Sequence, residues 1–574
     1  MIDLSSIEHI PMSNYAFSDG VGHFVFRVRT KRKGVDEVSL LAGDTAEMVN
    51  PIHLSKTKMD RIGRDDIYDY YECRIGLPFV RVSYCFSFIK GKETAYFYSG
   101  HFHRDISSER NDLFKYPYSR KDGIGHTPEW LKGTVFYNIF PDSFVSQDKA
   151  LREPRELIEK GGTVIKNRLG GNLKEIRDHL GYIKDLGFNG VYLNPLFKAE
   201  EYHKYDTIDY LTIDPMFGTN EEFKNFVAEC HSRGIKVMID MVFNHCGWNF
   251  PPFLDVIKSQ EHSKYKDWFY HLDFPVFKPA QPNVKPPYAS FGYERMMPKL
   301  NTSNPEVVSY FDKVISFYER DCGVDGFRLD SSDELNDDFI IHINRTIKAV
   351  NPLCAIIGEI WQNPYHWVNN QMMDGAMNYD FRKACLSFLK GELSGLEFSG
   401  YVNELTTRLK DANAFAMLNL LDSHDVPRLY SEVGENMDVF RLGLVMLFSS
   451  IGPVNFLYGD EIPLKGIKEK DYRGPMNYED NGQKAFVKEL VKLRLDSPEL
   501  ISGRLLPIYA SRSKPLYAFK RVLGEHAIEI VLNNGSGFVG LGSIKGLNPK
   551  GKILLSQNLA SSFLGPHSFV IRRY

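Results

Sequence analysis

Eight short apolar runs, each ending in polar residues, punctuate the chain between residues 134 and 461: TVFYNIF, FNGVYLNP, IKVMIDMVF, VDGFRLD, CAIIGEIW, DGAMNYD, AFAMLNLLD and PVNFLYGDE. Each has the length of a buried strand, and amphipathic stretches such as NLKEIRDHLGYIKDLG and EEFKNFVAECHSRG lie between them. Strands that alternate with helices pair in parallel, because the helix carries the chain back to the edge where the strand began. Eight such units close into a barrel, which predicts a central TIM (β/α)8 barrel over residues 126–495. The interval after the third strand, about 246–300, is too long for a simple connection and predicts an inserted subdomain there.

The flanks read differently. Residues 1–125 alternate with period two in HFVFRVRT, VDEVSLLAG, YDYYECRIGL, RVSYCFSFI and TAYFYSG, the pattern of a small antiparallel β-sandwich. FKYPYSRKDGIGHTPEW, rich in Pro, Gly and charge, reads as the linker to the barrel. From 496 to 574 short alternating strands return, including PLYAFKRV and HAIEIVLNN, and predict a C-terminal β-sandwich. Three units suit 574 residues, since one domain holds roughly 150.

Composition excludes some classes. A net charge of −3 offers no basic field to recruit nucleic acid or an anionic membrane. The most apolar late stretch, Leu442 to Gly459, is broken at Gly452-Pro453 and reads as a helix followed by a strand, not a membrane span. The seven cysteines are odd in number and lack CxxC or zinc-ligand spacing, which points to free thiols in a reducing, cytoplasmic setting. MIDLSSIEHI has neither the basic start nor the apolar core of a leader.

The chemistry concentrates at strand ends. In VDGFRLD, alternation puts Gly326, Arg328 and Asp330 on one face. Arg328 beside Asp330 favours an ionised carboxylate, as a glycosyl nucleophile requires, whereas the apolar frame IIGEIW favours a protonated Glu359, as a general acid requires. Asp425 follows His424 in LLDSHD, and contacts to a sugar 2-hydroxyl strengthen as an oxocarbenium ion develops. In IDMVFNH, Asp240 ends a strand and Asn244 and His245 follow it, Asn244 placed to orient Arg328 and His245 to bind a hydroxyl. Taken singly, each residue has a structural alternative: a helix cap or surface charge for the acids, an ion pair for Arg328 with Asp330, a core histidine for His245 or His424. Asp240, His245 and Glu359 lack metal-ligand spacing, so no metal site is assigned. The four frames on successive predicted strands favour catalysis.

At these residues the chain resembles the α-amylase superfamily of glycoside hydrolases, through DMVFNH, GFRLDSSDE, GEIW and LLDSHD in that order. The resemblance implies Asp330 as nucleophile, Glu359 as general acid/base and Asp425 as transition-state stabiliser. It implies Arg328, His245 and His424 as supporting residues, and in HKYDTIDYLTIDPMFG it makes Tyr205 the ring that stacks on the cleaved glucose, with His203 beside it. MPKLNTSNPEV, HTPEWLKGTVFYNIFPDSF and GGNLKEIRDHLGYIKDLGFNGVYLNPLF resemble the cyclomaltodextrinase, neopullulanase and maltogenic amylase subgroup. Within it, Trp361 and Glu334 are acceptor-side candidates; barrel-rim packing for Trp361 and a solvated helix start for Glu334 stay open beside that. The subgroup implies cyclomaltodextrins and short maltooligosaccharides as substrates, with possible transfer to sugars, and a homodimer built through the N-terminal domain. Action on pullulan or starch, and an inactive sugar-binding relative, are the alternatives.

Two departures matter. PDSFVSQDK stands where relatives often read PDRFANGD, which weakens the usual calcium site, so this reading requires no cofactor and keeps calcium as an alternative. SSDE replaces the commoner VANE, adding Asp333 beside Glu334 on the acceptor side.

Overall fold

A computed structural model describes residues 2–121, 124, 127–150, 158–160, 163–165, 168–278, 284–479 and 482–574. The expected domain boundary at 125–126 lies outside the described residues, as does part of the inserted stretch, 279–283. The chain divides into two compact units: Thr127–Arg382 with Ala416–Ser497, and Met1–His126 with Lys383–Phe415 and Pro498–Tyr574.

The first of these carries a seven-stranded parallel sheet. Its strands are Val135–Ile139, Gly190–Leu193, Lys236–Met241, Gly326–Leu329, Ala355–Gly358, Gly375–Ala376 and Val454–Leu457, with the last paired to the first. Seven of the eight expected runs form ladders. AFAMLNLLD instead makes isolated parallel bridges, Leu418 to Met377 and Asn419 to Val454, between the two edge strands. Pro453 has no N–H to extend that pairing; its carbonyl accepts from Asn419 N–H, and the Asn419 side chain binds the carbonyls of Met417, Ile451 and Pro453.

One face of the sheet is a single apolar core containing Phe136, Tyr192, Met238, Ile357, Met377, Leu418 and Leu420. The helices between the strands are capped as their sequences dictate. Asn220–Ser232 opens with a capping box of Thr219 and Glu222, and Asp337–Val350 opens on Asn336 and buries Phe339, Ile340, Ile343 and Ile347. NLKEIRDHLGYIKDLG forms two short helices, Leu173–Asp178 and Leu180–Asp185, interrupted at His179. The stretch after the third strand folds as a helix, Pro251–Ser259, and a two-stranded ladder of Ser290–Phe291 with Glu294–Pro298.

In the second unit the five strands read from residues 1–125 are present within a few residues of their expected ends, in two antiparallel sheets of four and six strands. Phe26, Val38, Leu40, Tyr84, Phe86 and Phe88 fill the core of this N-terminal part. Residues 504–573 form an antiparallel sheet of six strands.

Candidate active site

Strand register assembles the polar cluster. Asp240 lies opposite Arg328 in the parallel ladder, and Leu329 lies opposite Gly358, which brings the next residues, Asp330 and Glu359, side by side. Because side chains alternate, Asn194, Asp240, Arg328, Asp330 and Glu359 continue the face that carries Tyr192, Met238 and Ile357 in the core. Arg328 is fully buried, and its Nη1 donates to Asp240 Oδ1 at 2.7 Å and to Asp330 Oδ1 at 2.8 Å. Its Nη2 forms an ion pair with Glu359 Oε1 at 2.9 Å. Asp240 Oδ2 accepts from Tyr192 and Tyr205 hydroxyls, each at 2.9 Å, so Asp240 orients Arg328 from behind; Asn244, expected in that role, turns its amide to Glu334 instead.

Ser331 links the two central acids. Its N–H donates to Glu359 Oε2 at 2.8 Å and its hydroxyl to Asp330 Oδ2 at 3.2 Å. The residue holds a left-handed backbone, φ 44 and ψ 44, a strained state for a non-glycine that costs on the order of 1–3 kcal/mol and is common at active sites.

Burial, then the Glu359 charge, raises the Asp330 carboxyl well above the ordinary range despite Arg328. Burial likewise raises Glu359. Two buried carboxylates against one shared guanidinium cannot both ionise cheaply, so the pair retains a proton. This revises the expectation that Arg328 alone keeps Asp330 ionised: that cation is divided among Asp240, Asp330 and Glu359.

Asp425 differs. Burial pushes its carboxyl up, but His424, Arg473 and Arg328 together hold it well below the usual range. His424 Nε2 lies 2.8 Å from Asp425 Oδ2 and 2.5 Å from the Tyr205 hydroxyl, and its ring stacks parallel to Tyr205. Arg473 Nη2 donates to Asp425 Oδ1 at 3.1 Å, Nε to the His424 carbonyl at 2.6 Å, and Nη1 to Tyr202 and Glu469. Sequence reasoning missed Arg473, Glu469 and Tyr202. The one available signal was the i,i+4 acid–base pair in EKDYR, which by itself reads as a helix-surface pair.

These groups open on a cleft of about 1330 Å³ lined by His203, Tyr205, His245, Asp330, Glu334, Glu359, Trp361 and Asp425, among others. Arg328, Asp240, Asn244 and His424 are almost wholly buried and stand behind the lining. Burial, with Lys299 second, lowers His245 to about 3, and its buried Nε2 has no hydrogen-bond partner within the protein. The other side of the ring rests on Phe291 at 4.6 Å. His203 Nδ1 accepts from Tyr205 N–H at 3.0 Å, shaping the loop between them. Glu334 is an exposed acid paired with Lys299 Nζ at 2.8 Å, and Asn244 donates to it at 3.2 Å. Lys299 and Phe291, both unforeseen, come from the inserted stretch.

The calcium question turns on Asp142, the buried acid of PDSFVSQDK. Its Oδ2 accepts from Leu169 N–H at 2.8 Å and its Oδ1 from Gly170 N–H at 3.2 Å. Each oxygen therefore already takes one backbone donor. Among the described residues no cluster of three or more His, Cys, Asp or Glu side chains is placed to hold a metal ion, and no helix is long and apolar enough to cross a membrane.

Comparison with known proteins gives a consistent picture. Residues 138–489 match the alpha amylase catalytic domain and residues 1–120 the alpha amylase N-terminal ig-like domain. A maltogenic alpha-amylase of Bacillus acidopullulyticus is 35% identical over 93% of this chain and 92% of its own length. Neopullulanase 2 of Thermoactinomyces vulgaris is 34% identical over 92% and 91%. A solved cyclomaltodextrinase superposes with a TM-score of 0.89 at 31% identity, covering 100% of this chain and 98% of the other.

Proposed function

The chain belongs to the α-amylase family of glycoside hydrolases, and we propose that within it the protein is a retaining α-glucan hydrolase that opens cyclomaltodextrins and trims short maltooligosaccharides. The observation that carries the reading is the pair Asp330 and Glu359, bridged by one guanidinium and by one serine. Sharing these partners keeps the two carboxyls near one another, and retaining enzymes, which work through a glycosyl-enzyme, hold theirs about 5–5.5 Å apart.

In the productive form the pair's proton sits on Glu359, the reverse of the placement that the stronger upward push on Asp330 favours in the free protein. Glu359 protonates the glycosidic oxygen of an α-1,4 bond. Asp330 attacks the anomeric carbon as the leaving sugar departs, forming a covalent glycosyl ester. Glu359, now ionised, takes a proton from water, or from an acceptor sugar in transglycosylation, as oxygen attacks the anomeric carbon and Asp330 is released. Asp425, kept ionised, serves the 2-hydroxyl as positive charge develops. Arg328 and Asp240 fix the acids, Asn244 supports Glu334, His424 and His245 meet sugar hydroxyls, Tyr205 stacks on the cleaved glucose with His203 beside it, and Trp361 and Glu334 face the acceptor.

The architecture goes with this reading. Parallel bridges through Leu418 and Asn419 support closure into a (β/α)8 barrel over residues 126–495, with an inserted subdomain at 246–300 and a C-terminal β-sandwich at 496–574. The N-terminal domain, 1–125, is the proposed homodimer contact. Seven free, buried cysteines support a cytoplasmic location, and the proposed steps draw on no metal.

The neopullulanase relative favours a second reading, action on pullulan or starch. Chromatography of products from cyclomaltodextrin, pullulan, starch and maltotriose decides between them. Faster turnover of cyclomaltodextrin than of starch is expected; the reverse order rejects the cyclomaltodextrin assignment.

A further inference from the structure

Trp361 is a half-exposed residue of the cleft wall, with 51% of its surface open. One face of its indole lies on the buried Tyr379 ring, centroids 3.8 Å apart and planes 13° from parallel. Its edge is occupied as well: Nε1 donates to Glu359 Oε1 at 3.2 Å. A ring pinned on one face and tied at its N–H has only its other face left for a sugar.

We infer that Trp361 is a positioning residue for Glu359: the stack on Tyr379 fixes the indole, and the fixed N–H holds the carboxyl that exchanges the reaction's proton. The inference rests on the reading of Glu359 as the acid/base. The other groups facing Glu359 are Arg328, Asp330 and Ser331 N–H at the end of one strand, Asp240 on its neighbour, Asp425, and Tyr379. None of them changes when the indole N–H is removed. A donor to a carboxylate favours its ionised form, so without it Glu359 keeps its proton to higher pH.

Trp361→Phe tests this, because phenylalanine keeps a six-membered ring over Tyr379 at a half-exposed site and has no N–H to donate. The measurement is kcat/KM against pH on maltotriose and on α-maltosyl fluoride, whose leaving group departs without a proton. The alkaline limb for maltotriose is expected to move to higher pH in Trp361→Phe, while the pH profile for the fluoride keeps its shape whatever its height. An unmoved maltotriose limb, or the same displacement on both substrates, overturns the inference and leaves the acid/base assignment standing. Failure of the unmodified enzyme to cleave either substrate rejects that assignment instead.

Discussion

Arg328 and Asp240 meet at 2.7 Å with neither side chain exposed to solvent. The guanidinium serves Asp330 and Glu359 at the same time, so Asp240 is the group that decides where it points. In Asp240→Asn the buried cation loses one counter-charge and a fixed acceptor. Breaking a buried pair costs about 3–5 kcal/mol, and a small displacement of reacting groups costs about 10²-fold in rate. A lower melting temperature and a kcat reduced by about that factor are expected, with KM little changed; steady-state kinetics beside a thermal melt checks both.

The raised pKa of Asp330 has a consequence for stability. A carboxyl raised in the folded state binds protons that the unfolded chain has released. Its contribution is therefore present below the unfolded value and lost as pH rises through the folded one. Asp330→Asn removes a charge that the fold accommodates poorly. The variant is expected to lose kcat on the order of 10⁴-fold and to melt higher than the parent at pH 7.5, with the difference shrinking toward pH 4. Melting curves at the two pH values check this, and a lower melting temperature at pH 7.5 contradicts it.

His245 runs the opposite way. Its ring is lowered to about 3 by burial and then by Lys299, so it is neutral at pH 5 and above. A depressed histidine supports the fold above its unfolded value near 6.5 and withdraws that support as pH falls. At pH 5 the shift is worth about 2 kcal/mol. His245→Asn is expected to narrow the parent's loss of stability between pH 7.5 and pH 5 by about that amount, read by urea unfolding. It also removes the sugar contact proposed for this ring, so KM is expected to rise at every pH.

The grouping of the strand-end acids around Arg328 was legible because they are carried on strands. A period of two fixes which of Gly326, Phe327, Arg328, Leu329 and Asp330 share a face, and four such frames in order narrow the fold to one. What the sequence concealed was partition of charge and everything supplied by loops. Arg328 reads as the partner of Asp330, but the register gives it Asp240 and Glu359 as well. Lys299 and Phe291 reach the cleft from an inserted stretch with no period to follow. AFAMLNLLD looks as strand-like as its neighbours and forms bridges alone, because pairing there runs into Pro453.

Gly247 shows how the loop carrying His203 and Tyr205 is held. Its N–H donates to the Thr207 carbonyl at 2.7 Å, and a Cβ added at Gly247 would stand 2.2 Å from the Asp206 carbonyl oxygen. Backbone cannot yield as a side-chain end does, so Gly247→Ala must push the two loops apart. Overpacking of this kind costs about 1–3 kcal/mol. The expected signature is a lower melting temperature with a rise in KM, since Tyr205 and His245 flank the contact.

Arg473 gives the sharpest test of what lies beyond the strand ends. One guanidinium binds the Asp425 carboxylate, the His424 carbonyl, the Tyr202 hydroxyl and Glu469. Lysine keeps the charge but has no planar fork, and so cannot serve these directions together. Asp425 retains its long-range cation in Arg473→Lys and loses its directed bond. The expected result is a fall in kcat/KM of about 10²-fold, equivalent to about 2.7 kcal/mol of transition-state binding. In Arg473→Ala the carboxylate also loses the charge that offsets its burial. Its pKa then rises, and the acid limb of the pH–rate profile moves to higher pH. The lysine variant keeps that limb near the parent's position. If the two variants lose activity equally and with identical profiles, Arg473 acts through packing rather than through Asp425.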